Sequence, residues 1–166
     1  MGVQMADSHK TRILILILIF VCGILAGFGL HSLVSPQNQN PVKHVIVTSN
    51  APKPIGPYSQ AVHSGDFVFI SGQIGLDPAT GNLSGTVDGQ TLQVMENLKS
   101  ILQEAGLGFS DVVQTRIYLT NMSDWDTVNG IYGRYFENQY PARATVQATG
   151  LPKGAKVEIE VVARKS

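Results

Sequence analysis

The sequence has a single cysteine and few charges, and both shortages restrict what the protein can do. Cys22 lies inside an apolar run, so the rest of the chain has no disulfide, thiol nucleophile or cysteine metal site.

Charged residues make up only 14% of the 166 residues, with a formal net charge of zero. Two of the twelve bases and one of the twelve acids precede residue 13, which leaves ten bases and eleven acids. Because positive and negative charges are nearly equal in number, they provide no electrostatic attraction for nucleic acid. We therefore expect no nucleic-acid partner.

Several motifs of common enzymes are missing as well. The chain has no Gly-x-Ser-x-Gly elbow, no His-Glu-x-x-His pair, no Walker loop and no dinucleotide fingerprint after a strand. His44 and His63 stand apart from any acidic or cysteine cluster, so we expect no metal site. Hydrolases that depend on an activated nucleophile are therefore excluded.

One long hydrophobic run is present near the start of the chain. Residues 13–34 contain no acid or base except one histidine and are long enough for a helix to cross a bilayer. Lys10 and Arg12 precede this run, and no further base appears before Lys43, which predicts a cytoplasmic N-terminus at residues 1–12. We therefore expect a transmembrane signal anchor and a single-pass, membrane-anchored protein with its domain on the periplasmic or extracellular side. If the run is instead a cleaved signal peptide, the domain is secreted.

The remainder of the chain divides into a tether and one domain. Residues 35–41 are polar and contain two prolines, which indicates a short exposed tether. Residues 42–166 are enough to bury one hydrophobic core. Their patterns predict the element order β-β-β-α-β-α-β-β.

Two helices are predicted within this domain. Residues 90–105 carry an apolar stripe at helical spacing, which Gly106 ends. The stripe comprises Leu92, Val94, Met95, Leu98, Ile101, Leu102 and Ala105. Residues 123–126 resemble a capping box for a second helix. Its predicted inward side chains are Trp125, Val128, Ile131, Tyr135 and Phe136.

The element order predicts an α+β fold in which both helices cover one face of a mixed sheet. The opposite face is then bare. Because small proteins rarely leave such a large patch open, we expect the protein to associate with copies of itself.

Arg143 and Glu158 are the candidate functional pair in a chain with few charges. Strand alternation places Ala142, Ala144, Val146 and Ala148 on one side of the predicted strand, a small apolar surface suited to packing under the helices. On this interpretation Arg143 and Glu158 both project from the opposite, open side. One interpretation is a cross-strand ion pair on the surface. The other is a site in which the arginine fork binds a substrate carboxylate and the glutamate positions water or carries a proton.

Six ordered motifs give the domain a resemblance to a known family. They are Ile55-Gly56-Pro57-Tyr58-Ser59-Gln60, Ser71-Gly72-Gln73-Ile74, Asn97-Leu98 before Gly106-Leu107, Val128-Asn129-Gly130-Ile131-Tyr132, Pro141-Ala142-Arg143 and Val157-Glu158-Ile159-Glu160. They resemble the Rid (reactive intermediate deaminase) family, also called YjgF or UK114-like, and the resemblance covers nearly all of residues 43–165.

The resemblance implies a chorismate-mutase-like fold, assembled as a homotrimer with active sites between subunits. It also implies a reaction without cofactor or metal: hydrolysis of enamine and imine forms of 2-amino acids, such as 2-aminoacrylate and 2-iminobutanoate, to 2-oxo acids and ammonia. By this resemblance Arg143 binds the substrate carboxylate and Glu158 orients the attacking water. The implied substrate-binding residues, besides Arg143, are Tyr58, Ser71, Gly72, Asn129 and Thr145.

The chain departs from the family pattern at Thr145, where deaminases commonly have cysteine, so the substrate range is open. A second interpretation of the same motifs is a non-catalytic trimeric module that binds a small carboxylate ligand or a membrane partner.

Overall fold

A computed structural model describes residues 43–137 and 139–165. The predicted segments 1–12, 13–34 and 35–41 lie outside the described residues. Within the described residues, the elements follow the predicted order β-β-β-α-β-α-β-β. The strands are β1 (His44–Ile46), β2 (Ala61–Ser64), β3 (Phe67–Ile74), β4 (Val112–Leu119), β5 (Ala142–Gln147) and β6 (Val157–Arg164), and the helices are α1 (Val87–Glu104) and α2 (Trp125–Tyr132).

The strands form one mixed sheet in the order β1-β2-β3-β6-β4-β5. The β4 and β5 pairing is parallel and the other pairings are antiparallel. Strands β3 and β4 run in the same direction on either side of β6, so α1 and α2 each lie in a crossover between parallel strands. Both crossovers step in the same direction along the sheet, and the right-handed rule then puts both helices on the same face. This confirms the α+β prediction with two helices on one face.

The hydrophobic core lies between the sheet and these two helices. Strand β6 alternates strictly, with Val157, Ile159, Val161 and Ala163 buried. Helix α1 covers this surface with fully buried apolar side chains: Val94, Met95, Leu98, Ile101 and Leu102. Removing this many aliphatic side chains from water supplies most of the stabilisation, at about 25 cal/mol per Å² of apolar surface.

The opposite, open face of the sheet is uncovered in the described residues. Phe67 and Phe69 of β3 are 40% and 49% exposed there. Arg116 and Glu160, on neighbouring strands of this face, form an ion pair of 2.7 Å. The bare face that the element order predicts is therefore present.

Helix α1 differs from the prediction at its start. It begins at Val87 because the Thr86 hydroxyl accepts a hydrogen bond from the Gly89 amide at 3.4 Å. Its end is as predicted, since Gly106 has a left-handed φ of +73°. Leu92, expected in the buried stripe, is 43% exposed, because it lies one helical turn from the exposed Asp88 and Glu96 on the solvent side of the helix.

The capping box predicted for α2 is wrong. Asp124 occupies the cap position and makes no side-chain capping bond. A short 3-10 turn, Met122–Asp124, leads into the helix instead, and the Asn121 side chain accepts from the Ser123 amide at 3.0 Å. Trp125 is 38% exposed rather than turned inward.

Candidate active site

Glu158 lies on the open face of the sheet, above a glycine. The β3 and β6 register shifts between Ile70 and Gln73, which marks a bulge at this point. Gly72 lies in the bulge, and a Cβ there would overlap Glu158 Oε1 and lie 2.8 Å from its Cδ. The carboxyl group therefore occupies the space that any other side chain at position 72 would fill. Gly72 and Glu158, which belong to separate predicted motifs, are therefore in direct contact.

Tyr58 approaches the same place from a loop that Gln60 shapes. The buried Gln60 amide accepts from the Thr48 amide at 2.8 Å and donates to the carbonyls of Thr48, Ala51 and Pro52. These bonds replace the backbone pairing that a proline-containing segment cannot form. The Tyr58 hydroxyl in turn accepts from the Ile55 amide at 3.2 Å, which leaves its ring 46% exposed at the mouth of a pocket.

Ser71 completes this side of the site. Its hydroxyl donates to the Ser59 carbonyl at 2.7 Å, and its amide donates to the Gln60 carbonyl at 3.0 Å. The hydroxyl oxygen keeps a lone pair for a ligand. The pocket is about 230 Å³ and is lined by Ile55, Tyr58, Ser71, Gly72, Ile74, Pro152 and Glu158. We call it the glutamate half-site.

The environment of Glu158 favours its protonated form. Partial burial raises the pKa of this carboxyl above its ordinary value of 4.5, and the nearby Glu160 carboxylate raises it further. Glu160 is itself held in the ion pair with Arg116 on the neighbouring strand. A carboxyl group with a raised pKa is better suited to exchange a proton near neutral pH than an ordinary glutamate.

Arg143 lies on the other face of the sheet. In the parallel register of β4 and β5 it pairs with the buried Thr115, so its side chain points to the side that the helices cover. Its guanidinium carbon stands 4.9 Å from the ring centroid of Tyr132 on α2. The surrounding pocket is about 600 Å³ and is lined by Asn129, Gly130, Tyr132, Gly133, Tyr140, Pro141 and Arg143. We call it the arginine half-site.

The prediction that Arg143 and Glu158 share the open face is therefore wrong. Strand β5 is an edge strand whose side chains are exposed or half-buried on both sides. The alternation of small apolar and polar residues along β5 therefore does not indicate which side is buried. Only the register with β4 shows which side faces the helices. The small side chains expected under the helices lie on the open side, where Val146 is 48% exposed.

The predicted site residues thus fall into two groups within one chain. The structure brings Tyr58, Ser71, Gly72 and Glu158 together in the glutamate half-site. Asn129 lines the arginine half-site with Arg143, and Thr145 follows on the same side of β5, paired with Ile117. Because the sheet separates the two groups, a single chain does not assemble them.

Sequence reasoning missed Tyr132, the residue that contacts Arg143. It is 3% exposed, and its hydroxyl donates to Thr115 Oγ1 at 3.1 Å. The helical spacing of four from the buried Val128 could have indicated that Tyr132 faces inward. No group of three or more His, Cys, Asp or Glu side chains placed to hold a metal occurs in residues 43–137 and 139–165.

The family model described as Endoribonuclease L-PSP matches residues 48–165. The chain belongs to this family. Among curated relatives of this L-PSP family member, the human 2-iminobutanoate/2-iminopropanoate deaminase is 48% identical over 123 residues, which cover 74% of this chain and 90% of that protein. A RutC family protein of Pyrococcus horikoshii is 49% identical over 125 residues, covering 75% and 99%. The family indicated by the six motifs is confirmed.

A solved structure of an L-PSP family neighbour supports the fold. The crystal structure of Escherichia coli TdcF with bound serine is 40% identical, with a TM-score of 0.72, and the match covers 74% of this chain and 99% of that one. The mixed α+β architecture is therefore shared with an experimentally determined relative.

The localisation expected from the sequence is corrected by these comparisons. The 125 residues aligned with the Pyrococcus protein span 99% of its length, which leaves no room in it for a segment like residues 13–34. In the part of the chain that the structure describes, no helix has the length and apolar character needed to cross a membrane. The prediction of a single-pass anchored protein with an external domain, and of a membrane partner, is not supported, and the anchor itself falls outside the described residues.

Proposed function

We propose that residues 42–166 hydrolyse enamine and imine forms of 2-amino acids, such as 2-aminoacrylate and 2-iminobutanoate, to 2-oxo acids and ammonia. Two features of the site support this. One is a guanidinium at the rim of an open pocket, and the other is a half-buried carboxyl with a raised pKa. The human relative is a 2-iminobutanoate/2-iminopropanoate deaminase, which is consistent with both features.

Arg143 binds the substrate carboxylate in this proposal. A guanidinium donates two parallel hydrogen bonds to a carboxylate, and this fixes the plane of a small acid more firmly than a lysine would. Asn129 and Thr145 lie on the same side of the sheet and offer further polar groups to the ligand. Tyr58, Ser71 and the backbone at Gly72 line the opposite wall.

Glu158 moves the proton. As the water oxygen bonds to C2 of the imine, one water proton passes to the Glu158 carboxylate, which delivers it to the imine nitrogen and gives a neutral carbinolamine. Glu158 then takes the proton of the carbinolamine hydroxyl and passes it to the nitrogen as the C2–N bond breaks. Ammonia leaves, the C2–O bond becomes the carbonyl of the 2-oxo acid, and Glu158 is again a carboxylate. Such imines also hydrolyse slowly in water, so orientation and one proton carrier are sufficient and no nucleophile of the protein is needed.

A second copy of the chain completes the site. Arg143 and Glu158 lie on opposite faces of one sheet, and the uncovered face carries exposed Phe67 and Phe69. Packing the open face of one copy against the β5 edge of the next buries these rings and brings one arginine half-site to one glutamate half-site. A closed ring of three copies, the assembly implied by the resemblance to the Rid family, repeats this contact three times.

The test is an assay in which 2-iminopropanoate is generated in situ and the remaining imine is captured by a trapping nucleophile. Purified protein is expected to lower the trapped imine and to speed formation of the oxo acid. Equal rates with and without protein would contradict the proposal. If 2-oxobutanoate also raised the melting temperature while no imine was consumed, the protein would be a carboxylate-binding module and not an enzyme.

A further inference from the structure

Tyr132 is buried at the junction of α2 with β4 and β5. Its ring packs 4.7 Å from that of Phe136, and its hydroxyl is held by Thr115 on β4. Thr115 is itself fully buried and lies directly beside Arg143 in the β4–β5 register. These contacts leave the ring little freedom to rotate, and one ring face is presented to the arginine.

The contact with Tyr132 uses none of the hydrogen-bond donors of Arg143. Within residues 43–137 and 139–165, no hydrogen bond or ion pair to its guanidinium is present. A guanidinium over an aromatic face is attracted to the negative face of the ring, and the attraction uses none of the five N–H donors. An acidic partner would also hold the arginine, but it would compete with a substrate carboxylate for the same donors.

We propose that Tyr132 is a positioning residue that holds the Arg143 guanidinium through its ring face, so that the arginine is oriented before a carboxylate binds. This inference rests on the carboxylate-binding part of the proposed function. Because the ordering cost of a long side chain is met before binding, affinity for the carboxylate rises without any contact between Tyr132 and the ligand. The Tyr132 hydroxyl contributes indirectly, since its bond to Thr115 fixes the ring plane.

The experiment replaces Tyr132 in the full chain by phenylalanine and by phenylalanine carrying one, two and three ring fluorines. Fluorines withdraw electron density from the ring face while nearly preserving ring shape, so a series of this kind weakens the cation–π attraction in steps. The dissociation constant for 2-oxobutanoate is measured by calorimetry, alongside KM, kcat and the melting temperature.

We expect the dissociation constant and KM to rise stepwise, by about tenfold across the series, with kcat within about twofold. Matched substitutions at Tyr135 serve as controls. Its ring packs edge-on against Phe109 and its hydroxyl donates to Glu96, so fluorination there leaves ligand affinity unchanged. The melting temperature shows how much of each effect comes from packing.

A dissociation constant that stays flat across the fluorinated series would overturn the inference, as would the absence of 2-oxobutanoate binding by the unmodified protein. A stepwise rise in the dissociation constant supports the inference even if no imine is turned over. In that outcome the proposed deaminase function fails and the positioning role of Tyr132 stands.

Discussion

Arg143→Ala is expected to lower kcat/KM for 2-iminobutanoate by about 30-fold to 4,000-fold. Truncating one partner of a hydrogen-bonded charge pair costs about 2 to 5 kcal/mol, and each 1.4 kcal/mol is a factor of ten. The loss falls mainly on KM, because the carboxylate contact is present in both the bound substrate and the transition state. Steady-state kinetics over a range of imine concentrations measures the split.

Two further arginine variants sharpen this result. Arg143→Lys keeps the charge but loses the planar fork, so we expect an intermediate loss in kcat/KM. Arg134→Ala removes an exposed arginine in the 3-10 turn after α2 and is expected to leave the kinetics unchanged. An Arg143→Ala variant that folds normally and retains wild-type kcat/KM would remove the carboxylate-binding role from this residue.

Glu158→Gln is expected to lower kcat by about 10² to 10⁴, the range that a positioned proton carrier contributes. Glutamine has nearly the same shape and still fits above Gly72, but it neither accepts nor releases a proton at neutral pH. Because substrate binding rests on Arg143, KM should change little. Rapid-mixing measurements of imine loss at saturating substrate give kcat directly.

The dependence of kcat on pH shows which protonation state of Glu158 is active. If the carboxylate form takes the proton from water, kcat increases as the pH rises through the pKa of Glu158. At pH values below that pKa, kcat is lower because the carboxyl group is protonated. Burial and Glu160 raise that pKa, so the acidic limb should lie above the value of 4.5 for an ordinary glutamate. The limb should disappear in Glu158→Gln. Glu160→Gln serves as a control that retains kcat within a few-fold and moves the limb towards lower pH, since one nearby negative charge is lost.

The sequence allowed much of the fold to be predicted because the buried elements carry clear periodicity. The apolar alternation of β6 and most of the α1 stripe, with Leu92 as the exposed exception, correspond to buried positions in the structure. The start of α2 was predicted wrongly because Asn121 and a 3-10 turn replace the expected capping box. Local polar residues allow more than one way to begin a helix, and packing selects among them.

The candidate site was only partly predictable. The motifs supplied the candidate residues, but the alternation in β5 put Arg143 on the wrong face of the sheet. An edge strand exposed on both sides has no hydrophobic side to set its orientation, so the register with β4 had to come from the structure. Tyr132 was missed because a buried tyrosine in a helix looks like any other core residue until its neighbour is known.

We propose that two copies of the chain share each site, and mixing two inactive variants tests this directly. Arg143→Ala and Glu158→Gln proteins are unfolded together, mixed in equal amounts and refolded, and imine hydrolysis is compared with that of each variant alone. In random assemblies about a quarter of the sites combine the intact Arg143 of one copy with the intact Glu158 of another, so about a quarter of wild-type activity should return. If the refolded mixture forms the same assemblies and is no more active than the two separate variants, both residues act within one chain, which contradicts a site shared between copies.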